Sequence, residues 1–366
     1  MCKKAIIAMS GGVDSSVAAL LTKNMGYECI GATMKLFSND DINVSREKSC
    51  CSLSDTEDAR SVSLRLGMPY YVFNFSDRFE QDVISKFVNS YLSGATPNPC
   101  IECNRCLKFD KMFLRMKELG YDYVVTGHYA VIEKDDISER YLLKKSSDPT
   151  KDQTYVLYML TQEQLKHTLF PLGNMQKTEV RKLAEENGFI NAKKRDSQDI
   201  CFVPDGKYAD FIEGYTGKKS PVGNFVGMNG RIFGKHKGII HYTVGQRRGL
   251  GISHETPLYV VDIRTDTNEV VLGSEEELYS TSLIADGVNL ISVESIPSPM
   301  RVKAKVRYRQ QEQDAIACQT PSGKLFVKFD SPQRAITRGQ AVVLYDGDIV
   351  VGGGTIEKAG CFDEPF

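Results

Sequence analysis

Through residue 207, short apolar runs alternate with amphipathic stretches. The apolar runs predict strands at Lys4–Met9, Cys29–Met34, Tyr70–Phe73 and Tyr123–Thr126. The amphipathic stretches predict helices at Ser15–Asn24, Ser54–Leu66, Phe79–Ser93, Phe109–Leu119 and Lys177–Asn187. Strands that alternate with helices imply a parallel sheet covered on both faces, with ligands at the carboxyl ends of the strands. The loop at Ser10 and the segments after Met34 and Thr126 lie at those ends. Beyond residue 207 the texture changes to glycine-punctuated β-like runs: Ile239–Val244, Leu258–Ile263, Glu269–Leu272, Arg301–Tyr308, Leu325–Phe329, Ala341–Tyr345 and Ile349–Ile356. The expected architecture is α/β: an N-terminal parallel-sheet domain (1–207), a small central β-rich domain (208–283) and a C-terminal β-barrel (284–366). No internal repeat or low-complexity tract interrupts it.

The first strand runs straight into a glycine loop. Ala8 and Met9 end the apolar run, and Ser10-Gly11-Gly12-Val13-Asp14-Ser15-Ser16 opens a helix. Two glycines let the backbone approach an anion, and a helix N-terminus presents free N–H groups and the positive end of its dipole. Ser10, Ser15 and Ser16 add hydroxyls. Asp14 beside a phosphate implies an intervening magnesium ion, so the loop reads as a cradle for Mg-ATP. There is no G-x-x-x-x-G-K-[ST] and no G-x-G-x-x-G here, which excludes the P-loop and the dinucleotide fingerprint. S-G-G-V-D-S-S resembles the loop of the ATP-pyrophosphatase (adenine nucleotide α-hydrolase-like) superfamily, whose members cleave ATP between the α and β phosphates.

Composition narrows the setting. The 366 residues are 41% hydrophobic and 25% charged, as in ordinary globular chains, and no run approaches membrane-spanning length. With the first strand beginning at Lys4, no leader is expected and the location reads as cytoplasmic, with no membrane partner. In a reducing compartment the ten cysteines are expected as thiols, and clustered ones as catalytic or metal-binding. Cys2, Cys29, Cys318 and Cys361 read as small buried apolar residues, and Cys50-Cys51 as structural.

The cysteine-rich stretch is Thr96-Pro97-Asn98-Pro99-Cys100-Ile101-Glu102-Cys103-Asn104-Arg105-Cys106. Its prolines exclude a helix until after Pro99. A thiol at a helix start beside Arg105 and Lys108 is expected to have a lowered pKa. Cys201, in Asp196-Ser197-Gln198-Asp199-Ile200-Cys201-Phe202, is the second candidate. A closed zinc site lacks its second ligand pair, whereas an iron–sulfur cluster could draw three thiolates from Cys100, Cys103 and Cys201.

Together these segments resemble the tRNA-specific 2-thiouridylases. The resemblance is carried by S-G-G-V-D-S-S, C-C-S-L-S-D-x-E-D-A-R (50–60), T-P-N-P-C-x-x-C-N (96–104), T-G-H-Y-A (126–130), K-D-Q-T-Y (151–155) and D-S-Q-D-I-C-F (196–202). It continues through H-Y-T-V-G-Q-R-R-G-L-G (241–251) and K-V-R-Y-R-Q (305–310), and so covers the chain in order. The family replaces O2 of the wobble uridine in tRNA with sulfur. The resemblance implies that Ala8, Met9, Ser10, Gly11, Gly12, Val13, Asp14 and Ser15 hold ATP, with Met34 and Gly127 against the adenosine. It places Asn98, Pro99 and Cys100 against the target base. Lys151, Asp152, Gln153, Arg307, Tyr308 and Gln340 are then tRNA contacts, joined by His128. Cys103 matches the nucleophile and Cys201 the persulfide carrier. Implied partners are the anticodon loop of Lys-, Glu- and Gln-type tRNAs and a cysteine desulfurase or sulfur-relay protein. Some members carry Asp where this chain has Cys100. That leaves open a variant in which a [4Fe-4S] cluster on Cys100, Cys103 and Cys201 holds hydrosulfide.

A net charge of −1 means that RNA would have to be met by local basic patches. Arg301–Arg309 alternates strictly, basic at odd positions and apolar or aromatic at even ones, which on a strand puts five cations on one face. Lys235, Lys237, Arg247 and Arg248 add to it, and Tyr308 and Gln310 are candidates to stack on or bond a base. Two other readings compete: an ATP-pyrophosphatase ligase acting on a small molecule, which needs neither paired cysteines nor a basic strand, and a non-catalytic iron–sulfur or RNA-binding protein.

Overall fold

Ile6 and Ile7 are both fully buried, and they face opposite sides of one sheet. Such a strand must be covered on both faces, and the computed structural model, which describes residues 2–37, 53–196, 200–203 and 206–363, shows how. The chain forms two units. The first is Met1–Ile84, Pro99–Gly206 and Asp348–Val350; the second is Ser85–Asn98, Lys207–Gly347 and Val351–Phe366.

In chain order the first unit contains β1 (Lys4–Ala8), α1 (Val13–Asn24), β2 (Glu28–Lys35), α2 (Leu53–Arg65), β3 (Tyr70–Asn74) and α3 (Ser76–Phe79). A π-helical turn, Glu80–Ile84, leads on to α4 (Ser85–Leu92), which is counted with the second unit. Then come α5 (Pro99–Glu102), a π-helical stretch Cys103–Lys111, and α6 (Met112–Glu118). They are followed by β4 (Tyr123–Val125), β5 (Val131–Lys134), β6 (Tyr141–Lys144), α7 (Gln162–Lys166), β7 (Thr168–Leu169) and α8 (Lys177–Glu186). The sheet order is β3-β2-β1-β4-β7 and every pairing is parallel. On one face Ala5, Ile7 and Met9 pack with Val17 and Ala18 of α1, Ala59 and Val62 of α2, and Val180 and Ala184 of α8. On the other, Ile6, Ile30, Ala32 and Val124 pack with Met112 and Met116 of α6. The chain leaves β1 toward β2 and β3 on one side and returns to β4 on the other. A crevice therefore opens between the carboxyl ends of β1 and β4, at the switch point of the topology.

The second unit has α9 (Tyr208–Thr216) and a four-stranded sheet in the order β10-β11-β8-β9, where β8 is Gly223–Gly227, β9 Ile232–His236, β10 Tyr259–Arg264 and β11 Glu269–Gly273. Its remaining strands are β12 (Tyr279–Leu290), β13 (Met300–Lys305), β14 (Gln313–Gln319), β15 (Leu325–Arg334), β16 (Ala341–Asp346) and β17 (Ile349–Gly360). Their order is β12-β15-β14-β13-β16-β17, and β12 pairs back with β17 to close a six-stranded barrel. Leu283, Val302, Ala304, Ala315, Val327, Val342 and Leu344 fill it. Among the described residues, no helix is long and apolar enough to cross a membrane.

Several elements depart from the expected ones. The helix expected at Phe79–Ser93 begins at Ser76 and is interrupted by its π turn. The helix at the cysteine-rich stretch starts on Pro99 itself, where its missing N–H leaves no bond unmade. It widens at once into π geometry, and the Met112 N–H reaches Leu107 O, five residues back. Ile239–Val244 is not a strand: Ile239–His241 forms a 3₁₀ turn, with the Tyr242 N–H bonded to Ile239 O. The alternating basic strand stops at Lys305, because Gln310 Oε1 accepts the Val306 N–H and the Gln310 N–H bonds Arg307 O, which turns the chain. Cys2 and Cys361 are exposed rather than buried, while Cys29 is buried and its thiol is pushed up to about 11 by that burial.

Candidate active site

The loop after β1 lies in the switch-point crevice. Gly11 has φ +74°, and a Cβ there would stand 2.3 Å from the Asp55 carbonyl oxygen, so only glycine fits. Gly12 is the N-cap of α1, and no side chain caps that helix. The Gly12 carbonyl is drawn back into the protein: the Ser15 and Ser16 hydroxyls each donate to it at 3.0 Å. Ser15 Oγ in turn accepts the Ser10 N–H at 3.2 Å. In a trans peptide the next N–H points opposite to the carbonyl, so the Val13 N–H faces away from that anchored side. Thr33 Oγ1 holds the Met9 carbonyl at 2.6 Å and receives the Tyr70 hydroxyl at 2.6 Å, which fixes the entry to the loop. Gly127, after β4, closes the other side: a Cβ there would come within 2.6 Å of the Asp14 carbonyl carbon and the Ser15 nitrogen. Met34 lies half-buried near the end of β2, packed against the α6 face of the sheet.

Asp14 has a partner that the sequence did not announce. Lys177, the first residue of α8 and nearly buried, donates to Asp14 Oδ1 and Oδ2 at 2.6 and 2.7 Å. The Tyr129 hydroxyl donates to Oδ1 at 2.8 Å. Burial first, and then the Asp14 carboxylate, hold the Tyr129 phenol far above its ordinary pKa, so it remains a donor. The same Lys177 ammonium reaches Asp196 at 2.9 Å, and Asp196 also pairs with Lys151 at 2.8 Å and Arg181 at 2.9 Å. Burial pushes the Asp196 carboxyl up, but bonding to Lys151 and Lys177 outweighs it and holds the group below the usual range. These two acids and three cations sum to +1 beside the loop, a fitting counter-charge for a polyphosphate.

The Asp14 carboxylate already has partners in the crevice. Both Asp14 oxygens are taken, and among the described residues no group of three or more His, Cys, Asp or Glu side chains is arranged to hold a metal ion. Asp14 thus orients Lys177, and it is also the carboxylate beside the cradle that would meet the magnesium ion of Mg-ATP, an ion that takes only one or two carboxylates besides phosphate oxygens. The lack of such a group among the described residues leaves the Cys100, Cys103 and Cys201 cluster without support as a resident [4Fe-4S] centre.

Three of the residues expected to touch tRNA are used internally. Gln153 Oε1 accepts the Tyr129 N–H at 2.9 Å, while the Gln153 N–H bonds Tyr129 O at 3.0 Å. Asp152 accepts the Ser146 N–H and the Thr154 hydroxyl. Lys151 is committed to Asp196. His128 is buried between Phe109 and Phe170, with Nδ1 2.7 Å from Thr126 Oγ1. Burial, aided by Lys108, holds it well below its ordinary pKa, so it is a neutral packing residue and not a surface contact.

Cys103 is half-buried at the start of the π-helical stretch, and Cys100 is exposed one turn earlier. The Arg105 guanidinium pairs with Glu102 at 2.5 Å and also bonds the Cys106 side chain. Asn104, next to Cys103, is buried and donates to the Val156 carbonyl at 3.0 Å, tying the stretch to the end of the K-D-Q-T-Y segment. Cys201 is half-buried, and the adjacent Phe202 makes an edge contact with Phe79 at 5.5 Å. Phe79 belongs to α3, and α3 and its π turn pack on the Cys103 stretch. The two candidate cysteines are thus linked through Phe202 and Phe79. Cys50, Cys51, Ser197, Gln198 and Asp199 lie outside the described residues.

In the second unit, Asn98 ends a strap whose Thr96 N–H bonds Arg338 O at 2.8 Å. Gln340 Nε2 donates to Thr96 O at 2.7 Å, so this side chain holds the strap rather than standing free for RNA. The half-buried Arg307 donates to Ala335 O and Thr337 Oγ1, both at 2.9 Å. Tyr308 is exposed. Of the cations on β13, Arg301 is paired with Asp330 and Lys303 stands opposite Asp314, so the basic face is more mixed than its own strand suggests.

A doubly covered parallel sheet with an anion cradle at its switch point, followed by a β-rich segment and a closed barrel, defines the class: a HUP-type α/β domain joined to two β modules. Residues 3–205 match the family described as tRNA methyl transferase HUP domain, 209–274 the tRNA methyl transferase PRC-barrel domain, and 280–356 the aminomethyltransferase beta-barrel domain. The tRNA-specific 2-thiouridylase MnmA of Acetivibrio thermocellus is 56% identical over 97% of this chain and 99% of its own length. The corresponding protein of Clostridioides difficile is 52% identical over 98% and 99%, and MnmA 1 of a Thermoanaerobacter species 54% over 97% and 98%. The chain belongs to the tRNA-specific 2-thiouridylase family.

Proposed function

We propose that this protein is an ATP-dependent tRNA sulfurtransferase that converts the wobble uridine to 2-thiouridine. The observation that carries the reading is the polyphosphate cradle at the switch point, in a chain more than half identical along almost its whole length to such an enzyme. Three segments divide the work: 1–207 for catalysis, 208–283 as a β-rich connector, and 284–366 as a barrel that meets tRNA.

A uridine C2 carbonyl is a poor electrophile because oxide is a poor leaving group. O2 attacks the α-phosphorus of ATP, pyrophosphate departs, and the oxygen becomes part of an AMP leaving group. Backbone N–H groups of the cradle and the Lys177 ammonium stabilise the charge that builds on the phosphates. ATP enters as its magnesium complex, and the ion would offset charge on the phosphates. Cys201 carries the sulfur as a persulfide. Its terminal sulfur attacks C2 and AMP leaves; the Cys103 thiolate attacks the inner sulfur of Cys201, closing a disulfide and releasing the transferred sulfur. An external thiol reductant then restores both cysteines. Asn98, Pro99 and Cys100 flank the base, and Tyr308 is an exposed ring suited to stack on an unstacked one. The persulfide comes from a cysteine desulfurase or relay protein in the cytoplasm, and the substrates are Lys-, Glu- and Gln-type tRNAs.

The test is ATP-dependent sulfur incorporation into unmodified tRNA with a persulfide-charged desulfurase. Mass analysis of the nucleosides distinguishes sulfur-for-oxygen exchange from the methyl transfer named in the domain descriptions. 2-Thiouridine in the wild type, lost in Cys103→Ala and in Cys201→Ala, is the expected result. Full activity in either variant would sink the two-thiol route.

A further inference from the structure

Asn191 lies in the tight turn after α8, far from the cradle in sequence, and is 3% exposed. Its Nδ2 donates two hydrogen bonds, both at 2.9 Å: one to the Gly11 carbonyl and one to Ser16 Oγ. Its Oδ1 is buried and, among the described residues, has no hydrogen-bond partner. The amide cannot flip to relieve that atom, because Oδ1 would then face the Gly11 carbonyl, acceptor against acceptor. An unsatisfied buried acceptor is unfavourable, and here it is retained to keep the donor pair on the loop. The segment that carries Asn191 is pinned by Arg181, which donates to Ala192 O at 3.3 Å and Lys194 O at 3.1 Å. Lys194 joins Asp55 and Asp58, each at 2.6 Å, and approaches the Gly11 carbonyl at 3.5 Å.

The consequence follows from peptide planarity. With the Gly11 carbonyl held by Asn191, the Gly12 N–H is turned the opposite way. Ser15 and Ser16 do the same for the next peptide through the Gly12 carbonyl. Ser16 Oγ is shared by both arrangements, since it accepts from Asn191 and donates to Gly12 O. Gly12 itself is extended (φ −87°, ψ 162°), so the two N–H groups diverge, and the one that Asn191 aims outward, toward a phosphate oxygen, is that of Gly12. We propose that Asn191 is the positioning residue for the Gly12 N–H, setting the Gly11–Gly12 peptide so that this donor meets the pyrophosphate portion of ATP rather than its nucleoside. The proposal rests on the reading that the cradle takes ATP.

Equilibrium binding of ATP, inorganic pyrophosphate and adenosine to the full chain tests it. One misplaced donor to an anionic oxygen weakens ATP and pyrophosphate about ten- to a hundredfold in Asn191→Ala. Adenosine binding should stay within about twofold, because it has no phosphate for this donor to meet. Ser16→Ala removes one of the two acceptors and should show the same ligand pattern with a smaller loss. It also serves where Asn191→Ala fails to fold. Equal losses for adenosine and pyrophosphate, or unchanged pyrophosphate affinity in both variants, would overturn the proposal. Failure of the wild type to bind ATP would instead remove the reading beneath it.

Discussion

Replacing Lys177 with Met removes the ammonium between Asp14 and Asp196 while keeping most of the aliphatic stem. Asp196 retains Lys151 and Arg181, so the charge left behind is that of Asp14, which among the described residues keeps the Tyr129 hydroxyl against it. Stripping one partner from a buried pair costs about 3–5 kcal/mol. The Asp14 side chain is 31% exposed, so water recovers part of that, and about 2–3 kcal/mol is the fitting range. For a unit of this size that is a fall of roughly 5–10 °C in Tm. Asp14→Asn in the same chain removes the orphan charge and should return at least half of the lost stability. ATP affinity should not return, because the cation that faces the phosphates is still missing; it stays about tenfold or more below wild type. Thermal unfolding and ATP titration of the two single variants and the double variant are the assay. If Lys177→Met melts with the wild type, or the double variant is no more stable than Lys177→Met, the ion pair does not do what is argued. Recovery of ATP affinity in the double variant would reduce Lys177 to a neutraliser of Asp14.

Other expectations follow from single contacts. Gly127→Ala drives a Cβ into the Asp14 and Ser15 backbone and should cost about 1–3 kcal/mol, with a larger loss of thiolation, read by unfolding and turnover. His128 is held below its ordinary pKa, so the unfolded chain binds the extra proton; its share of stability is full above about pH 6.5 and lost as the pH falls below that. Tm between pH 7 and 5.5 should therefore decline less steeply in His128→Asn than in the wild type. Arg307→Ala should destabilise the second unit by about 1–3 kcal/mol through the Ala335 and Thr337 acceptors, and a pure RNA contact would leave Tm unmoved. At neutral pH a thiol reagent should label exposed Cys361 well before Cys29, as peptide mass mapping would show.

Much of the architecture was legible because it is written in local period. Buried runs such as Ala5–Ile7 admit few structures other than a parallel strand, and a helix pattern directly after two glycines places an anion site without any knowledge of the rest. The barrel was legible in outline, from short alternating runs set between turn residues. Its closure through β12 and β17 was not, since pairing partners leave no mark in a single strand.

What the chain order determined by itself was the set of elements, the loop and the cysteine-bearing segments. What only the tertiary structure decided was which side chains those features meet. The sequence put Asp14 beside the cradle, but only the fold gives it Lys177 from the start of α8, and only the fold shows Asn191 holding the Gly11 carbonyl. His128 and Gln340 looked like surface contacts, yet one is buried between aromatic rings and the other holds Thr96. The reason is physical. Periodicity and turn chemistry act over a few residues and survive in sequence. Charge pairing, burial and hydrogen-bond satisfaction depend on which loops the sheet order brings to the same strand ends, and that is settled only when β1 and β4 lie side by side.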